Sequence, residues 1–149
     1  MRSKVQKELI DTGFGFPVTL RNVPMAWVRG MWTPQIDYNS LAHAVLLALS
    51  QKPSRLTGYE VRFIRNCFEM TLQEFARRFS VSHAAVLKWE GMKNKHILAH
   101  WATEKDLRLF VLSQLGESAK ELARLYKALE VQPDLRSTPV QLDMRDLAA

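Results

Sequence analysis

His96 and His100 stand four residues apart, a spacing that can put two imidazoles on one helix face for a metal ion. A metal needs more ligands than that. No third one accompanies them, so the pair is expected to be structural. Cys67 is the only cysteine, which rules out an internal disulfide and any multi-cysteine zinc site. It adjoins Phe68 and lacks an evident His–Asn pair, so packing is expected of it rather than nucleophilic attack. His43 lies on an apolar helix face and reads as a core histidine. The "GFGF" run from Gly13 to Phe16 lacks the downstream glycine and the strand–helix context of a phosphate loop. There is no GxSxG, HExxH or Walker pattern, and most carboxylates stand where helices begin. The expectation is a protein that is not an enzyme, with no cofactor and no metal.

The other available chemistry is recognition of a polyanion. Net charge is +6, and the excess is localised: residues 51–100 hold nine basic and four acidic residues. Such a cluster is the electrostatic footprint of a nucleic-acid binder. Inside it lies "MTLQEFARRFSVSHAAVLKWE", two short amphipathic stretches separated by Ser80-Val81-Ser82. Val81 reads as an apolar plug and Ser82 as the N-cap of the second stretch. That layout matches a helix-turn-helix, whose second helix enters the DNA major groove. With Ala85, Val86 and Trp89 turned inward, the remaining face carries His83, Ala84, Leu87 and Lys88. Lys88 suits guanine O6/N7 or a phosphate, and Ala84 and Leu87 suit a thymine methyl. Lys93, Asn94 and Lys95 follow the helix and suit the DNA backbone, while Thr71 opens the first stretch near the phosphate track.

The elements that must position these residues are legible from their starts. Thr57/Glu60, Thr71/Glu74 and Ser118/Glu121 have capping-box spacing, and Thr103/Asp106 is a shorter-armed variant. They predict helices over about 58–68, 72–79 and 83–90, another after Thr103 that stops near Gly116, and a fifth after Ser118 that ends at Pro133. Residues 37–52 read as a further helix with Leu41, Val45, Ala48 and Leu49 inward, closed by Pro53. "FPVTLRNVPMAWVRGMW" reads as two short strands broken near Asn22–Pro24. Trp27 and Trp32 within it must either pack on the next helix or form a partner surface. The tail from Pro133 reads as loose. No apolar run reaches membrane-spanning length, and the basic N-terminus has no apolar stretch behind it, so a cytoplasmic protein is expected.

"LTGYEVRFIRNCFEMTLQEFARRFSVSHAAVLKWE" resembles the Xre/lambda-repressor-like helix-turn-helix family and its "LTQxELAxxxGVSxxxVSxWE" pattern. The wider layout is similar to antitoxin regulators of the MqsA/YgiT type. The chain departs from that type in lacking the zinc-ribbon cysteines, in having Leu72 where Gln is frequent, and in having Ser80 where Gly is frequent. The resemblance places Ser82, His83, Ala84 and Lys88 at base- and phosphate-contacting positions, and it implies an ion pair between Arg65 and Glu90.

The expected fold is therefore mainly α: a five-helix lambda-repressor-like helix-turn-helix domain preceded by a small two-stranded β element and one helix. The expected divisions are a strand/helix element over 1–55, a DNA-binding domain over 56–116, a helix for dimerisation over 117–132 and a flexible tail over 133–149. The expected function is a sequence-specific regulator of double-stranded DNA. It would act as a homodimer on a palindromic operator, and the resemblance adds autorepression of a toxin–antitoxin operon. The alternative is an interaction module whose N-terminal third neutralises a toxin-like protein, with DNA binding secondary.

Overall fold

Residues 2–135 and 138–147 are described by the computed structural model. They form six α-helices and a four-stranded mixed sheet. This corrects the expected fold class, since the protein is not a five-helix domain behind a two-stranded element. Two compact units divide the chain: 1–45 together with 139–149, and 46–138.

The first unit is built on β1 (Ser3–Asp11), β2 (Val18–Val28), β3 (Met31–Pro34) and β4 (Val140–Asp143). β1 runs antiparallel along nearly the whole of β2, from Ser3 opposite Ala26 to Asp11 opposite Val18. β2 has two partners on its other side. β3 pairs antiparallel with Met25–Val28, and β4 pairs parallel with Val18–Arg21. The break expected at Asn22–Pro24 is absent, because β2 runs through it. Asn22 takes a left-handed φ of 56° and donates its side-chain amide to Asp143 Oδ2 at 3.1 Å. Pro24 is tolerated because its nitrogen faces away from β1, and its carbonyl accepts the Gln35 amide at 2.8 Å. Arg29 and Gly30, both at positive φ, make the two-residue turn into β3. Phe16, Val18, Leu20, Val23, Met25, Ala26, Val140 and Met144 are the buried apolar residues of these strands and their flanks.

The stretch expected to be a loose tail thus holds β4 and a short 3-10 helix over Met144–Leu147. Trp27 and Trp32 face each other across β2 and β3, edge to face with centroids 5.3 Å apart. Arg2 lies over the Trp27 ring and Lys4 over the Trp32 ring. Helix α1 (Tyr38–Ser50) belongs to this unit as far as Val45, so the boundary between the units falls inside the helix rather than near 55. His43 is exposed on it, contrary to the expected core position.

The second unit contains α2 (Gly58–Cys67), α3 (Leu72–Arg78), α4 (His83–Glu90), α5 (Trp101–Gln114) and α6 (Ala119–Ala128). Capping boxes open α2 and α3 through Thr57/Glu60 and Thr71/Glu74. Ser118 caps α6. α5 begins earlier than expected, at Trp101 after His100, and Thr103 caps nothing. Leu56, Val61, Ile64, Phe75, Val86, Ile97, Leu107 and Val111 are fully buried. Cys67 is exposed rather than packed, although partial burial pushes its thiol above the ordinary value.

Beside this apolar core lies an enclosed ionic cluster. Lys52 Nζ donates to both Glu60 oxygens at 2.7 and 2.8 Å. Glu104 accepts from Arg55 Nε at 2.6 Å, from Arg108 at 2.8 and 3.0 Å, and from the Leu56 amide at 3.2 Å. Arg108 also donates from Nη1 to the Lys52 carbonyl and from Nη2 to the Ser54 carbonyl, both at 2.6 Å. All five charged residues are at most 5% exposed. Burial pulls the Arg108 pKa down, and the Glu104 carboxylate opposes it. Among the described residues no buried side-chain nitrogen or oxygen lacks a hydrogen-bond partner, which is the condition under which such a cluster is tolerable.

Candidate nucleic-acid interface

Thr71 opens α3. Its hydroxyl accepts the Glu74 amide, and its own amide donates to Glu74 Oε1, both at 3.1 Å. Those bonds hold the Glu74 carboxyl below its usual range. Phe75 and Ala76 point inward from α3, and Val86 and Trp89 from α4. Between the helices the Val81 amide donates to the Ala76 carbonyl at 3.0 Å, and Ser80 takes a left-handed φ of 56°. Ser82 Oγ then accepts the Ala85 amide at 3.0 Å and starts α4. Two short helices are thus joined by four residues, each of them tied to a neighbour by hydrogen bonds or by helix termination.

Gly58 fixes α4 from the other side. A Cβ there would collide with the carbonyl oxygens of Trp89 and Glu90 and with the Lys93 amide. The close approach lets the segment after α4 satisfy the N–H groups that the first turn of α2 leaves open. The Gly58 amide donates to the Lys95 carbonyl at 3.2 Å and the Tyr59 amide to the Lys93 carbonyl at 2.9 Å. Ile97 then donates to the Leu56 carbonyl at 2.9 Å.

The expected ion pair is present. Arg65 Nε and Nη2 reach the two Glu90 oxygens at 2.7 and 3.0 Å, and Nη1 reaches the Met70 carbonyl at 3.0 Å. The hydrogen bond to Glu90 raises the Arg65 pKa. One guanidinium thus ties the end of α4 both to α2 and to the residue ahead of α3.

The face left to solvent carries Ser82, His83, Ala84, Leu87 and Lys88, all exposed, with Leu87 at 48%. Lys93, Asn94 and Lys95 are exposed just beyond the helix, with Lys93 at a positive φ of 58°. Thr71 is exposed at the head of α3. The sequence reading passed over Arg62 on α2 and Arg77 on α3, which are exposed cations at polar positions of their helices. The fold also sorts the charge. Lys52 and Arg55 are enclosed, Arg65 is spent on Glu90, and Arg78 lies 3.1 Å from Asp106. Arg62, Arg77, Lys88, Lys93 and Lys95 remain on the surface of this segment, against Glu69 and Glu74.

His96 and His100 share no helix: both precede α5, and His96 Nδ1 lies 3.1 Å from the Ile97 carbonyl. The apolar stripe of α6 is turned inward. Leu125 and Leu129 pack with Leu112, and Trp101 Nε1 donates to the Leu129 carbonyl at 3.0 Å. On the outer side of α6, Tyr126 is left at 55% exposure. No group of three or more His, Cys, Asp or Glu among the described residues could hold a metal ion. No described helix is long and apolar enough to cross a membrane. No protein-family model matches the chain, and neither a curated protein nor a solved structure matches it.

Proposed function

We propose that the chain is a sequence-specific regulator that binds double-stranded DNA by laying α4 in the major groove. The observation that supports this is the helix pair α3–α4. It is anchored by Gly58 and by the Arg65–Glu90 pair, and it leaves Ser82, His83, Ala84, Leu87 and Lys88 exposed. Lys88 and Leu87 meet base edges; Thr71, Ser82 and the lysines after α4 meet phosphates. One module of this size makes few base contacts, so two copies on a two-fold site are required. Autorepression of a toxin–antitoxin operon extends this reading and rests on the family resemblance alone. The chain has no proposed catalytic role.

Binding to DNA from the region upstream of its own gene, followed by fluorescence anisotropy, tests the reading. Affinity should fall steeply with salt as phosphates release counterions. Lys88→Ala should cost ~1–3 kcal/mol and relax sequence preference, whereas Lys93→Ala and Lys95→Ala should weaken all sequences alike. Equal, salt-insensitive binding of upstream and random DNA by these variants would overturn it.

A second reading is favoured by the β2–β3 hairpin, which exposes Trp27 and Val28 at 38% and Met31 at 64%. That patch suits a protein partner, and in this reading the first unit captures a toxin-like protein. Trp27→Ala with Met31→Ala would then abolish capture of that partner and leave DNA binding intact.

A further inference from the structure

We infer that β1 is the site of self-association, and that its occupant is the antiparallel β1 of a second copy. β1 is nine residues long, and among the described residues it pairs with β2 alone. Its outer edge is therefore an open row of backbone donors and acceptors, the kind of edge that accepts another strand. The hydrogen-bond phase identifies which groups point outward. Trp27 donates to the Arg2 carbonyl, one step beyond the Ser3–Ala26 pair that opens the β1–β2 register. Even-numbered residues of β1 therefore bond to β2, and Ser3, Val5, Lys7, Leu9 and Asp11 offer N–H and C=O groups outward.

The side chains choose the partner. The strand reads Lys4, Lys7, then Glu8, Asp11, with two cations before two anions. Such a strand is complementary to its own reverse. A two-fold axis normal to the sheet keeps each residue on its own face, so one residue of β1 must lie opposite its own copy. Centring on Lys7 or Glu8 sets like charges directly against each other, which is unfavourable. Centring on Val5 or Leu9 overlaps only five residues of the strand. Centring on Gln6 overlaps seven residues, Ser3 to Leu9, and faces no like charges. It sets Lys4 against Glu8 of the second copy, twice by symmetry, and Gln6 against Gln6. Val5, 64% exposed in the single chain, then lies beside the stem of Lys7 of the second copy. Lys4, now 4.4 Å from the Trp32 ring, reaches its new partner by turning about its flexible stem.

The inference does not depend on the DNA-binding reading, and its test is made without DNA. In a Cys67→Ser background, Gln6→Cys, Lys7→Cys and Glu8→Cys are each oxidised and run on a non-reducing gel. Gln6 occupies a non-hydrogen-bonded position toward the new strand, where facing side chains come closest. Gln6→Cys should give several-fold more covalent dimer than the other two. Val5→Pro removes an outward N–H that β2 does not use, so the circular dichroism and melting temperature should hold. The dimer dissociation constant from sedimentation should rise at least tenfold. A chain that is monomeric up to its solubility limit would overturn the inference. So would a dimer indifferent to Val5→Pro, or cross-linking that is equal at all three positions.

Discussion

Glu90 closes α4 with both oxygens on one guanidinium, at side-chain exposures of 11% for Glu90 and 15% for Arg65. Replacing the carboxylate by an amide would leave the half-buried Arg65 guanidinium with the Met70 carbonyl and one neutral amide oxygen in place of two charged ones. Glu90→Gln should therefore lower stability by roughly 3 kcal/mol, the low end for a buried pair because this one touches the surface. A denaturant titration showing an unchanged midpoint would contradict that. Ser80 carries the opposite kind of signal. Its left-handed φ of 56° costs a residue with a Cβ, while its side chain is exposed. Ser80→Gly should stabilise the protein by about 0.5–1 kcal/mol, the relief being partly offset by the greater freedom of glycine in the unfolded chain. A lower melting temperature for Ser80→Gly would show that Ser80 makes an interaction beyond its backbone. Residue types announced the caps of α2, α3, α4 and α6 and the helix-pair core, and the family resemblance implied the Arg65 partner. The ionic cluster was not visible, because Lys52, Arg55, Glu104 and Arg108 have surface-type side chains and come together from segments about fifty residues apart.

At the scale of elements, α4 is held where the chain before it leaves no room. Gly58→Ala would force α2 away from the end of α4 and open the backbone bonds to Lys93 and Lys95. The colliding atoms are backbone and cannot rotate aside. The loss should reach roughly 3 kcal/mol, the top of the usual range for overpacking. DNA affinity should fall with it, even under conditions where the variant remains folded. Calorimetry and anisotropy on one preparation check both; an unperturbed melting temperature would mean that α2 and α4 are not in register as described. Helix existence was readable here because caps and i, i+3, i+4 spacing agree. The start of α5 was misplaced, since His100 gives no side-chain cap and the Thr103/Asp106 spacing imitates one. β1 was missed for a related reason: "SKVQKELID" alternates weakly, with charges on both faces of an edge strand. The inward turn of α6 also lay beyond the pattern, because an amphipathic stripe does not say whether it packs on its own chain or on another.

For the whole molecule, the unit boundary decides how the protein can be cut. Pro53 looks like the natural start of a DNA-binding fragment, yet such a fragment would discard Lys52. Glu60 would then be left 3% exposed without its cation, and the Arg108 bond to the Lys52 carbonyl would be lost. A fragment of residues 46–138 should fold, and one of residues 53–138 should be less stable by ~3–5 kcal/mol. Equal urea midpoints for the two would show that the cluster relaxes when a member is removed.

The parallel pairing of β4 with β2 bears on the order in which the protein is made. Val18 finds Val140 only after the whole second unit has been synthesised, a separation of more than a hundred residues. On the ribosome β1, β2 and β3 emerge first and wait with one side of β2 half filled. The second unit, compact over 46–138, can close in the meantime. Contacts of such long sequence separation form late, and an unfilled strand edge invites foreign pairing until they do. Of the two units the sheet is therefore the later to be finished, and the helical insertion sets how long its edge stands open during synthesis.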